Sequence, residues 1–120
     1  MKNYSLNISP QIENDLSEIV FYMKEIGSYE TTVADFLDKI YTAFEFLKVT
    51  TLLGQTLTAK IDAPTNMRFY ILEQYIIFYE IVDEIIEITR IIPTNKDYIR
   101  ILGFSQSMKY RPSKLDFSNF

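Results

Sequence analysis

Apolar positions follow two rhythms along this chain, and the change from one to the other comes near residue 50. Tyr4, Leu6 and Ile8 alternate with Ser5 and Asn7, which predicts a short half-buried strand. Ser9-Pro10 then has the composition of a helix start, with serine as N-cap and proline at the first helical position. Ile12, Leu16, Ile19, Val20, Met23 and Ile26 follow at spacings of three and four, with acidic residues between them. That spacing predicts an amphipathic helix with one buried stripe, and Gly27 suits its C-terminal cap. Ser28 can cap a second helix, and Thr32 with Asp35 offers another start. Its stripe is Val33, Phe36, Leu37, Ile40, Phe44 and Leu47, ending near Thr50. Two amphipathic helices joined by so few residues fold back as an antiparallel hairpin whose stripes need an apolar floor.

The second rhythm supplies that floor. Met67 to Ile92 reads MRFYILEQYIIFYEIVDEIIEITRII, three β-branched and aromatic runs broken only at Glu73-Gln74 and Asp83-Glu84. Runs of this length and composition fit strands, and breaks this short force neighbouring strands to be antiparallel, so the stretch is a meander. Neither break contains glycine or asparagine, which leaves the turn types open. The middle run, Tyr75 to Val82, is apolar on both faces: Tyr75, Ile77 and Tyr79 on one, Ile76, Phe78 and Val82 on the other. That pattern belongs to a central strand covered on both sides, with everything before the sheet expected to act as its lid. Between the two halves, Leu52 to Pro64 is less regular, with Leu57 to Ile61 expected as a short strand. Pro93 stops the last strand, and Asn95 is placed to cap a short helix through Asp97, Tyr98, Ile101 and Leu102, closed by Gly103. The expected class is α+β: strand, helix hairpin, antiparallel β-meander, short C-terminal helix. Residues 1–103 form the domain, and residues 104–120, which have no clear period, form a tail.

Composition narrows the chemistry. A chain of 120 residues is one domain, large enough for a single core. It contains neither cysteine nor histidine, which excludes thiolate and imidazole catalysis, disulfides, and the commonest metal ligands. Proton transfer would fall to a carboxylate, a lysine or a tyrosine. No apolar run reaches the ~18 residues of a membrane span, and the N-terminus has no signal-peptide pattern, so a cytoplasmic location is expected. The net charge of -4 is unevenly spread: residues 1–92 carry seven basic and fourteen acidic side chains, residues 93–120 five basic and two. A basic tail on an acidic body suits a phosphate or an acidic protein partner, and a solvated terminus is the simpler reading.

Taken together, these segments resemble the RelE/ParE superfamily of bacterial type II toxins. The resemblance runs over about residues 3–102. It begins with Tyr4-x-Leu6-x-Ile8-Ser9-Pro10 and Asp15-Leu16-x-x-Ile19-x-x-Tyr22, and continues with Phe36-Leu37-Asp38-Lys39-Ile40. Arg68, then Tyr75-Ile76-Ile77-Phe78-Tyr79-Glu80-Ile81, is its most specific part, followed by Ile88-Thr89-Arg90-Ile91-Ile92 and Lys96-Asp97-Tyr98. The resemblance implies a small toxin that inhibits growth, takes part in plasmid stabilisation, and is held inactive in a hetero-oligomer with a cognate antitoxin. It calls for no cofactor, metal or membrane. RelE-like members cut messenger RNA on the ribosome with basic residues on the sheet and its flanks. ParE-like members keep the fold, lack that set, and poison DNA gyrase.

Residue by residue, the ribonuclease set is thin here. RelE-like ribonucleases carry an arginine immediately after the tyrosine of the central strand, and Ile76 stands at that position. Their preceding strand supplies lysines, and of Met67 to Phe69 only Arg68 is basic. The later arginine falls near Lys96, which keeps a charge but not the bidentate fork. The final tyrosine falls near Leu102, with Tyr98 one turn away. The chain is therefore expected to lie closer to ParE and to bind a protein target rather than cut RNA. Arg68, Lys96, Tyr98 and Arg100 are the target-binding candidates. Arg90 shares the expected Ile86, Ile88 and Ile92 face, so it is expected to form a structural ion pair, with Glu80 or Asp97. The tyrosines at 70, 75, 79 and 98 are expected to pack half-buried rather than stack on bases. Two alternatives stand beside this reading. One is a RelE-like ribosome-dependent mRNA endoribonuclease with a rearranged site, which the acidity of the chain disfavours. The other is a degenerate toxin that only binds its antitoxin.

Overall fold

The two rhythms become two layers. A computed structural model describes residues 4–52, 54–57 and 66–102. Ser5–Ile8 forms β1, Gln11–Glu25 α1 and Glu30–Val49 α2; Gln55–Thr56 forms β2, Arg68–Leu72 β3, Tyr75–Val82 β4, Ile85–Pro93 β5 and Tyr98–Ile101 α3. The five strands make one sheet in the order β1-β5-β4-β3-β2. The α+β class, the hairpin and the meander are as the pattern predicts.

Local chemistry sets the helix boundaries. Pro10 already has helical dihedrals, and the Ser9 hydroxyl accepts from the backbone N–H of Gln11 at 3.2 Å, capping the first turn of α1. At the other end Gly27 takes φ +83°. Its N–H donates to the Lys24 carbonyl and that of Ser28 to the Met23 carbonyl, a glycine-terminated Schellman closure. α2 differs from expectation: it starts at Glu30 behind an extended Tyr29, with no side-chain cap, so neither Ser28 nor Thr32 serves. Both meander turns place their first residue in the left-handed region, Glu73 at φ 57° and Asp83 at φ 55°. Two-residue hairpins need such a residue to match strand twist, at a cost of about 1–2 kcal/mol without glycine. In the first turn Glu73 also meets Lys39 of α2 at 2.9 Å across an exposed surface.

The hairpin stripes bury against one face of the sheet. Ile12, Leu16 and Ile19 of α1 and Ile40, Phe44 and Leu47 of α2 pack with Ile77, Tyr79, Ile86, Ile88 and Ile91. The opposite face carries a smaller cluster in which Phe69, Ile76, Phe78 and Ile92 pack with Leu57 and Tyr98. β4 is thus the two-faced central strand, although Val82 at its end is exposed rather than part of the second face.

Three expectations are corrected. β1 is not part of a lid: it pairs in parallel with β5, Ser5 opposite Ile85 and Ile8 opposite Ile88. The short strand near residue 57 is Gln55–Thr56, pairing with β3, and residues 58–61 lie outside the described residues. The third correction is to the face of Ile92. Phe78 is opposite Arg90 while Tyr79 is opposite Ile88, so Thr89 is an extra residue, a β-bulge, with its hydroxyl donating to the Phe78 carbonyl at 3.0 Å. The bulge reverses the alternation: Ile86 and Ile88 face the helices before it, whereas after it Ile91 does and Ile92 faces away.

Candidate functional site

The bulge at Thr89 is also where α1 is fastened. Asp15 lies within the apolar stripe of α1 and is 5 % exposed. Its carboxylate accepts from Nε and Nη2 of Arg90, each at 2.8 Å, and from the backbone N–H of Ile91 at 3.0 Å. A two-pronged contact of this kind is among the stronger hydrogen-bond arrangements. Nη1 of Arg90 donates to the Ile101 carbonyl at 3.4 Å, so the guanidinium also touches α3. Arg90 is the structural ion pair that the sequence predicts, with Asp15 as its partner instead of Glu80 or Asp97. Hydrogen bonding to Asp15 raises the Arg90 pKa further above its ordinary value, against partial burial. The signal in the sequence was a carboxylate at position 15 among Ile12, Leu16 and Ile19.

Beside this clamp runs a groove of about 700 Å³ between α1 and the segment that follows β5. Glu18, Tyr22 and Ile26 form one wall, and Tyr75, Lys96 and Ile101 contribute to the other. Tyr22 and Ile26 are each 63 % exposed. Lys96 is exposed in the turn after Pro93, its N–H donating to the Pro93 carbonyl at 3.1 Å. Arg100 is exposed on α3, whose cap is Asp97 and not Asn95: the Asp97 carboxylate accepts from the Arg100 N–H at 3.4 Å. The expected closing residue, Gly103, lies outside the described residues.

Arg68 is held elsewhere, at the start of β3. Its Nη2 donates to the Gly54 carbonyl at 2.7 Å, and its Nε is buried with no acceptor among the described residues. The Gly54 N–H donates to the Tyr79 hydroxyl at 3.0 Å, which donates to the Thr51 carbonyl at 2.8 Å. A Cβ at Gly54 would come within 2.6 Å of the Phe69 carbonyl, so glycine is required by this close approach. Arg68 and Tyr79 together tie the segment after α2 to the sheet.

Tyr98 is 2 % exposed and packs against Phe78, ring centroids 5.7 Å apart. Burial, with a smaller contribution from Asp97, pushes its phenol pKa well above the usual tyrosine range. A raised folded-state value means stability that is intact below about pH 10, where the unfolded phenol titrates, and lost as pH rises towards the folded value. The melting temperature should therefore fall above pH 10, and Tyr98→Phe should flatten that fall. Thermal melts of both proteins across pH 8 to 11 check this.

Ile76 is fully buried among Phe69, Phe78, Ile92 and Tyr98. The position where a RelE-like ribonuclease would carry arginine is therefore core. Of the four target-binding candidates, Lys96, Tyr98 and Arg100 lie on or just before α3, with only Lys96 and Arg100 on the surface; Arg68 is separate. Among the described residues no group of acidic side chains is arranged to hold a metal ion, and no helix is long and apolar enough to cross a membrane.

A helix hairpin lying on one face of an antiparallel-rich sheet, with a short helix sealing the other, defines a small two-layered α+β domain. Residues 6–98 match the family described as ParE toxin of type II toxin-antitoxin system, parDE. The chain belongs to that family. Its fold is also similar to a solved chain from the "Chromosomal ParDE TA system from P. aeruginosa", at a TM-score of 0.62 and 17 % identity. That alignment covers 76 % of this chain and 96 % of the other. No match is found among curated protein sequences.

Proposed function

We propose that this chain arrests growth by binding a protein target, with DNA gyrase the first to test, and that a cognate antitoxin neutralises it. Family membership supports the toxin role. The observation that carries the choice of target class is Ile76, which is buried in a core where RNA cleavage would need a cation. Without histidine, cleavage relies on preorganised cations at the developing charge, and losing one such donor typically costs about 10²–10³ in rate. Binding a protein needs only a folded surface and a few contacts, and Lys96 and Arg100 stand exposed just before and on α3. The antitoxin in this reading is an acidic or amphipathic segment that folds on the toxin, covering exposed apolar surface such as Phe21 and Tyr29.

The test incubates the purified protein with translating ribosomes and message, and separately with gyrase and supercoiled DNA. Gyrase-dependent DNA breaks with intact message are expected. Cleavage at codon positions that is abolished by Lys96→Ala would restore the ribonuclease. Inactivity in both assays, with binding to a co-expressed antitoxin retained, would leave the degenerate toxin.

A further inference from the structure

We propose that the free edge of β1 is a pairing site for a second copy of this chain, joined antiparallel about a twofold axis at Asn7. β1 ends the sheet, with β5 on one side and no strand among the described residues on the other. The N–H groups of Ser5 and Ser9 donate to the Glu84 and Ile88 carbonyls, so Ser5, Asn7 and Ser9 turn their backbone groups towards β5. Leu6 and Ile8 alternate with them and direct their N–H and C=O groups away from the sheet. Edge strands are commonly guarded against such pairing by a charge, a proline or a bulge. Ser5–Ile8 has none of these, and Ser5, Asn7 and Ile8 are all exposed.

The chemistry of the edge fits a copy of itself. With Asn7 opposite its own counterpart, Leu6 of each chain lies opposite Ile8 of the other, and every outward N–H of these residues meets an outward carbonyl. Leu6 and Ile8 share the helix-facing side with Ile86 and Ile88, so the pairing also covers apolar surface that is open at Ile8. The Asn7 side chain already donates to the Glu87 carboxylate at 3.3 Å, which leaves its second N–H and its oxygen to exchange with the same amide across the axis. Charge points the same way. Two chains of net charge -4 repel each other, and β1 is an uncharged strip along which they can meet. Pairing of this kind consumes the edge in both copies, so assembly through β1 stops at two. A seam of one short strand falls well below the ~800 Å² per partner of a stable interface, so the dimer belongs to the weak, concentration-dependent class. The inference does not depend on which cellular target the protein has.

The test is sedimentation equilibrium of the purified full chain up to about 1 mM, the range in which a weak interface is populated. The parent should pass from monomer to dimer as concentration rises, and more readily at high salt, which screens the repulsion between like-charged copies. Asn7→Lys and Asn7→Asp each set like charges against each other across the axis, and each alone should weaken dimerisation about tenfold or more. Mixed in equal amounts, the two variants should dimerise at least as well as the parent, because opposite charges then face each other. Ile8→Pro removes an outward N–H and leaves the bonds to β5 in place, so it should also lose the dimer. Circular dichroism melts establish that each variant is folded, and the recovery in the mixture separates a lost contact from a damaged strand. A parent that stays monomeric throughout, or single variants that dimerise as the parent does, would overturn the proposal. A mixture that stays monomeric while the parent dimerises would overturn the register centred on Asn7, and the proposal with it.

Discussion

Phe78→Asp should abolish the cooperative fold. Phe78 is fully buried at the centre of β4, opposite Phe69 on one side and Arg90 on the other, with the Tyr98 ring against it. A carboxylate there loses the ring's apolar burial and enters a cluster of Leu57, Phe69, Ile76 and Ile92. Arg90, its register neighbour, offers no rescue, because Nε and Nη2 are already bound to Asp15. Burying an unpaired charge costs at least several kcal/mol, against a total domain stability of about 5–15 kcal/mol. Phe78→Leu keeps the position apolar and should retain a cooperative melt, at a cost of roughly 1–2 kcal/mol. Circular dichroism melts of both variants decide the matter. An aspartate variant that melts cooperatively near the parent temperature would show that this sheet face is wet, and that Ile76 is no obstacle to a cation.

The features legible in the sequence are those set by local periodicity. The two helical stripes and the three-strand meander follow from spacings of three to four and of two, and each element needs only its own residues to be recognised. The pairing of β1 with β5 is different in kind. Leu6 lies opposite Ile86, eighty residues away, and the alternation of Tyr4, Leu6 and Ile8 states that a strand exists without naming its neighbour. The bulge at Thr89 defeats the period-two rule itself, since nothing in Ile88-Thr89-Arg90-Ile91-Ile92 marks the extra residue, and the predicted face of Ile92 was wrong for that reason. The turn conformations were hidden because Glu73 and Asp83 adopt left-handed backbone without glycine or asparagine. The candidate site divides similarly. Ile76 was readable as an apolar residue where a cation is needed. The burial of Tyr98 was not, because α3 has only four residues and too short a pattern to show which side faces the sheet. Arg90 was readable as a cation needing a partner, and the partner was visible as a carboxylate inside the α1 stripe. Connecting the two required the fold.

That connection gives the second large effect. Asp15→Ala should lower the melting temperature by roughly 10–20 °C. The substitution removes both hydrogen bonds to the Arg90 guanidinium and strands the backbone N–H of Ile91 at the bulge. Breaking a buried pair by deleting one partner typically costs about 3–5 kcal/mol, because the remaining charge is left uncompensated. The Arg90 side chain is 24 % exposed, so water reaches it in part and the lower end of that range applies. A chain of 120 residues falls between the ranges for smaller and larger domains, at about 4–6 °C per kcal/mol, so a loss of about 3 kcal/mol gives the stated fall. Replacing both residues, as Asp15→Leu with Arg90→Leu, removes the stranded cation along with its partner and should recover most of the loss, since apolar replacement of a buried pair is often near neutral. The bulge N–H stays unpaired in that protein, so recovery should stop short of the parent by about 1 kcal/mol or more. High salt should change the parent's melting temperature little, because a pair this enclosed is weakly screened. Thermal melts of Asp15→Leu, Arg90→Leu and the double variant close the cycle, with Asp15→Ala measured beside them. Equal losses in Asp15→Ala and the double variant would mean that Arg90 is not stranded, and that α1 is held to β5 by its apolar stripe alone.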